Sequence, residues 1–180
     1  MGNWIKNCVV GSAIVGSLIA ARPALAAVSM VLKAGDIRGE SAVTKHEGEI
    51  DVLAWSWGVA QPNVRVGSAA TGKAAVNALV ITKYVDQASP LLFQDSAQGK
   101  VLPQANFVAI RVGGKGNIEF IKIKLENVIV ASVSTGKASA NDRFTEEVSL
   151  VFSAAEYTYV PTKADGSAGA AVTIRWSLGK

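Results

Sequence analysis

The chain has 180 residues, with 18 lysines and arginines against 14 acids, one cysteine and one histidine. This length suits one domain around a single core. A formal charge of +4 without any long run of one sign is too weak and dispersed to argue for nucleic acid or anionic lipid, and one cysteine gives no disulfide framework.

The first 26 residues stand apart. Between Lys6 and Arg22 lie 15 uncharged residues, rich in Val, Ile, Leu, Ala and Gly. A bilayer-crossing helix needs about 20. A single cation, an apolar run, Pro23 and then Ala24-Leu25-Ala26 match a secretory signal peptide, with cleavage expected after Ala26. No lipobox surrounds Cys8. Export would leave a domain over 27–180 that lacks cysteine, depends on its core or on self-assembly for stability, and has no stable membrane insertion. An uncleaved anchor, or a true start at Met30 or a nearby codon, stays open.

Period-two alternation dominates the remainder, as in strands with one dry face and one wet face. The pattern predicts strands over 29–34, 49–58, 73–85, 104–112, 119–125, 127–135, 142–152, 156–160 and 171–178. In the seventh, Phe144, Val148, Leu150 and Phe152 form the dry face; in the last, Val172, Ile174, Trp176 and Leu178. Turns are expected at 113–117, at 134–137 and at Asp165-Gly166, a hairpin signal. One segment differs: 89–99 opens Ser-Pro and closes on Gly, which predicts a short helix with Ser89 as N-cap, docking through Leu91, Leu92 and Phe93. The fold class is therefore mainly β, a small barrel of two antiparallel sheets with one flanking α-helix.

Chemistry finds little purchase. Residues 67–73 have the spacing of a phosphate-binding loop, but Ala74 stands where Ser or Thr would hold magnesium, and a strand rather than a helix follows. His46 lacks further His or Cys partners for zinc in 27–180 and has no nucleophile elbow beside it. Glu146 and Glu147 are neighbours on one strand, so they face opposite ways and cannot act as an acid and base pair. Trp55 and Trp57 share a face with Leu53 and read as core rather than as a sugar platform. No catalytic residue, cofactor or metal is expected.

Several blocks, in order, resemble the haemolysin-coregulated protein (Hcp) family of type VI secretion tube subunits. They are Asp36-Ile37-Arg38-Gly39-Glu40-Ser41, His46, Glu49-Ile50-Asp51-Val52-Leu53 and Trp55-Ser56-Trp57-Gly58, then Thr82-Lys83-Tyr84-Val85-Asp86 and Ser89-Pro90. Val128-Ile129-Val130-Ala131-Ser132-Val133-Ser134, Asp142-Arg143-Phe144-Thr145-Glu146-Glu147-Val148-Ser149-Leu150 and Tyr159-Val160-Pro161 complete the likeness. It spans essentially all of 27–180.

The resemblance implies a non-enzymatic subunit that forms six-membered rings stacked into a hollow tube, with a lumen that can carry effectors. Its partners would be copies of itself and the sheath, spike and effector proteins of the apparatus, with no nucleic acid. It also implies that Arg38, Glu40, Lys45, His46 and Glu47, on the extended loop between the first strands, contact neighbouring subunits or rings. The alternative is an exported ring that binds effectors or acts as a chaperone without a sheath. Family members usually begin just before the first strand and carry no signal, being loaded in the cytoplasm, so the leader raises a question of route: periplasm or outside if it is real, cytoplasm before firing if it is not.

Overall fold

A computed structural model describes residues 27–61, 74–113, 116–138 and 142–178. The phosphate-loop look-alike at 67–73 and the leader 1–26 lie outside the described residues. Among those described, a nine-stranded antiparallel sheet carries the fold, beside a two-stranded ribbon and one helix. The strands are β1 (Val28–Ala34), β2 (Ile50–Asp51), β3 (Ala54–Ser56), β4 (Val59–Ala60), β5 (Ala75–Val76) and β6 (Leu79–Tyr84). Helix α1 (Ser89–Gln98) follows, then β7 (Val101–Gly113), β8 (Gly116–Ala138), β9 (Phe144–Val151), β10 (Ala154–Tyr159) and β11 (Val172–Ser177).

The main ladder runs β2-β1-β7-β8-β9-β6-β3, with β10 and β11 branching from β8. It does not close into a barrel by pairing β2 with β3. The seam is instead crossed by consecutive residues: the Val52 amide donates to the Met30 carbonyl of β1 at 2.9 Å, and the Leu53 amide to the Thr82 carbonyl of β6 at 2.8 Å. The sheet thus wraps around one core of residues such as Leu32, Ile81, Phe107, Ile123, Leu125, Val148 and Leu150.

Strand β8 is the spine. Residues 119–125 and 127–135, expected as two strands, form one, bent where Asn127 takes a left-handed φ of 51°. At that bend its pairing partner changes from β10 to β9, and the Asn127 side chain donates through Nδ2 to Ser153 Oγ at 2.8 Å. The turn expected at 134–137 is not one: the strand continues through it with a register shift between Thr135 and Lys137, absorbed by Gly136 at φ 102°.

The helix lies where expected but is capped differently. Its N-cap is Ala88, which has no side chain to offer. The Ser89 hydroxyl is occupied elsewhere, accepting from the Asp86 amide and donating to Glu146, while the Asp86 carboxylate takes the Ala88 amide at 2.8 Å. Gly99 ends the helix in the left-handed conformation, as the sequence predicts. Of the three docking residues, Leu92 is buried, whereas Leu91 and Phe93 are about half exposed.

Candidate assembly surface

Three features stand out: the polar loop after β1 and the rim of β11, which could serve binding, and a buried charge cluster that could not. The loop at 36–49 does not extend into solvent. It folds back on itself, with the Gly39 amide donating to the Gly48 carbonyl at 2.8 Å, Gly48 to Ser41 at 2.9 Å and Ser41 to Glu49 at 2.9 Å. Gly39 permits this, because a Cβ there would sit 2.6 Å from the Ile50 Cα. The loop then lies against the outer face of the sheet, where Val43 packs on a second small apolar cluster of Val31, Val108 and Ile110. That is why adjacent Val31 and Leu32 are both buried on a strand that should alternate.

Of the five residues expected at an interface, Arg38, Glu40, Lys45 and Glu47 are exposed, and His46 is mostly covered. Glu40 accepts the Gln87 amide at 3.1 Å, and Gln87 donates to the Gly39 carbonyl, so the loop is tied to the turn before α1. His46 sits between two carboxylates: Nδ1 is 3.0 Å from Glu49 Oε2, and Nε2 is 3.4 Å from Glu119 Oε1 on β8. Glu119 is held below its ordinary value chiefly by the Lys122 ammonium 2.7 Å away, against burial, with His46 adding in the same direction. Arg38, Lys45 and Glu47 thus line one cleft with Asp36 and Glu49, whereas Glu40 lies by Tyr84 and Arg143 and His46 by Glu119.

The rim of β11 is the second feature. Its apolar residues are in phase with the core: Ile174 pairs with Tyr157, which pairs with Ile123, and Val172 with Tyr159, which pairs with Ile121. Only the far half is covered. Trp176 and Leu178 pack on the core, with the Trp176 ring stacked 5.2 Å from Trp57, whereas Val172 and Ile174 are 64% and 56% exposed. Trp55 and Trp57 are indeed core-facing, Trp55 lying 5.0 Å from Phe107. Phe144 departs from its expected dry face and is 60% exposed, since it lies beyond the core at the start of β9.

The third feature is internal. Lys83 and Glu146 face each other across β6 and β9, on the dry phase of both strands, and are essentially inaccessible. Lys83 Nζ donates to Glu146 at 2.7 Å, to Asp86 at 2.7 Å and to the Tyr84 carbonyl at 2.8 Å. Ser89 adds a bond of 2.8 Å to Glu146, so the start of α1 is bolted to the sheet. Ion-pair satisfaction here is nearly complete, which is what keeps a buried lysine affordable. Among the described residues, no group of three or more His, Cys, Asp or Glu could hold a metal ion, and no helix is long and apolar enough to cross a membrane.

A family model described as type VI secretion system effector, Hcp, matches residues 31–159. The chain belongs to the Hcp family. Protein hcp1 of Pseudomonas aeruginosa is 42% identical over 155 residues, which is 84% of this chain and 96% of that one. A structure described as a type six secretion system protein superposes with a TM-score of 0.78 at 29% identity, covering 84% of this chain and 96% of its own. Hcp1 from Salmonella typhimurium gives 0.68 at 34% identity, with 84% and 95% covered. As an Hcp protein, the chain is a type VI secretion tube protein, a secreted structural protein of that secretion system.

Proposed function

We propose that this Hcp subunit closes into six-membered rings that stack into a hollow tube able to carry effectors. The observation that carries the reading is the β11 rim. β11 pairs with β10 alone among the described strands, leaving a six-residue edge free beside Val172, Ile174 and the half-exposed Tyr159. A free edge next to an apolar face that continues the core is a surface that another copy can cover. Because such a contact is heterologous, the rotation between neighbours must close it. Replacing Val172 and Ile174 with lysine should leave folded monomers in native mass spectrometry. Intact rings from that variant would refute the rim as the ring contact.

The loop at 36–49 supports the stacking contact, with the heads of Arg38, Lys45 and Glu47 outward and Glu40 and His46 securing the loop beneath them. Reversing the charges of Arg38 and Glu47 should shorten tubes in electron micrographs while leaving single rings. The partners of such a tube would be the sheath, spike and effector proteins of the apparatus.

A second reading, an exported ring working without a sheath, is favoured by the leader: an apolar run ending in Ala24-Leu25-Ala26 directly before the fold. Cleavage after Ala26 would release a chain that the sheet takes up at once, since the Ala27 carbonyl accepts the Val112 amide at 2.9 Å. Export in cells lacking the contractile sheath separates the two: the tube reading requires it to stop, and the ring-only reading requires it to continue through the general pathway.

A further inference from the structure

We propose that His46 is a proton-dependent clasp that fixes the assembly loop against the sheet. The argument is one of hydrogen-bond inventory. Both ring nitrogens face carboxylate oxygens, Nδ1 toward Glu49 at 3.0 Å and Nε2 toward Glu119 at 3.4 Å. Nε2 is fully buried and makes no hydrogen bond, so its approach to Glu119 is an ion-pair distance without hydrogen-bond geometry. A neutral imidazole carries one N–H, so either tautomer turns a lone pair toward a carboxylate. Only the imidazolium can offer a proton to both carboxylates, and only that form draws Glu119, at the start of β8, to the loop that carries His46 and Glu49.

The surrounding charges are compatible with this form. On the loop stand Lys45, Glu47 and Glu49; on β8 stand Glu119 and Lys122, the latter already paired with Glu119 at 2.7 Å. Glu49 therefore faces the ring without a second described ion-pair partner, and Glu119 shares its carboxylate between Lys122 and His46. Loss of the proton removes one of the two contacts, and the half of the loop near His46 then keeps only Val43 and the loop's own backbone bonds, while Glu40 and Gly39 stay tied to Gln87 at the other half. The sign follows: a contact made by the charged form of a base is present at low pH and lost as pH rises. The clasped loop presents Arg38, Lys45 and Glu47 in fixed positions, so stacking is preorganised in the protonated state. This last consequence rests on the tube reading, whereas the clasp belongs to the single subunit.

The test uses the fact that His46 is the only histidine in the chain. In the protein labelled with nitrogen-15 at histidine, the form with protons on both ring nitrogens should be the form in which the loop amides are protected. Amide exchange at His46 and Gly48, corrected for the intrinsic effect of pH, should rise about tenfold as the ring gives up its second proton, and this step should vanish in His46→Gln. Loop amides equally protected with one ring nitrogen deprotonated, or a step that persists in the variant, would overturn the clasp. Tube length across the same step tests the consequence: it should fall with rising pH in the wild type and stay flat in His46→Gln. Tubes of constant length alongside a titrating clasp would overturn the link to stacking, and rings absent at every pH would break the tube reading while leaving the exchange result to judge the clasp.

Discussion

Two clusters in this molecule have the same formula, one basic side chain between two carboxylates, and opposite settings. Lys83 lies with Glu146 and Asp86 inside the wall, where no charged side chain of the three exceeds 8% exposure. His46 lies with Glu49 and Glu119 under a surface loop, and Glu119 is 33% exposed. The first joins β6, β9 and α1, and water cannot replace any missing partner. The second joins a loop to one strand end, and water reaches its rim. Burial makes the first cluster architectural and leaves the second adjustable, although their chemistry is alike.

The sharpest way to break this comparison is to remove the cation from the sealed site. Lys83→Met strands Glu146 and should cost about 3–5 kcal/mol in denaturant unfolding of the subunit. The double change Lys83→Met with Glu146→Leu should recover much of that loss, because an apolar pair fills the same space without a stranded charge. A single-variant cost near zero would mean that water reaches the site.

Next in size is Gly39→Ala. Its methyl would meet the Ile50 Cα at 2.6 Å, so the backbone must shift; the expected loss is about 1–3 kcal/mol, together with amide protection at Gly48. Retained protection would show that the loop closes by another route.

The smallest effect belongs to the open cluster. Glu119 is held below its ordinary value of 4.5, mainly by Lys122, so its contribution is present above that pH and is lost as pH falls through the lower folded value. Glu119→Gln should therefore reduce stability at neutral pH by at most about 1 kcal/mol, given the solvent access of the pair. The gap should close in acid; a gap that stays open would locate the effect outside the charge.

Much of this fold is legible in the sequence, and the gaps have physical causes. Alternation marks the strands because each has one face on the core, and Ser89-Pro90 to Gly99 marks the helix through its local stereochemistry. Alternation could not show that the dry face of β11 outruns the core it covers, which depends on where β10 and Ile121 end. Nor could Lys83 and Glu146 be paired from spacing, being 63 residues apart. A signal was nonetheless present: Lys83 is in phase with Leu79 and Ile81, and Glu146 with Val148 and Leu150, so two opposite charges occupied the dry phases of two strands. Against Glu147 alone, Glu146 carries no hint of this partner. The loop residues were readable as polar and long, but their folding back depended on Val43 finding an apolar cluster on the outer face of β1 and β7.

The ring reading turns on whether another copy covers the exposed rim of β11. Native mass spectrometry of the exported protein, read with its intact subunit mass, tests this most directly. Six-subunit rings of chains beginning at Ala27 are expected, and they should fall to monomers when Val172 and Ile174 are replaced by lysine. A stable wild-type monomer, or rings that survive that replacement, would contradict it.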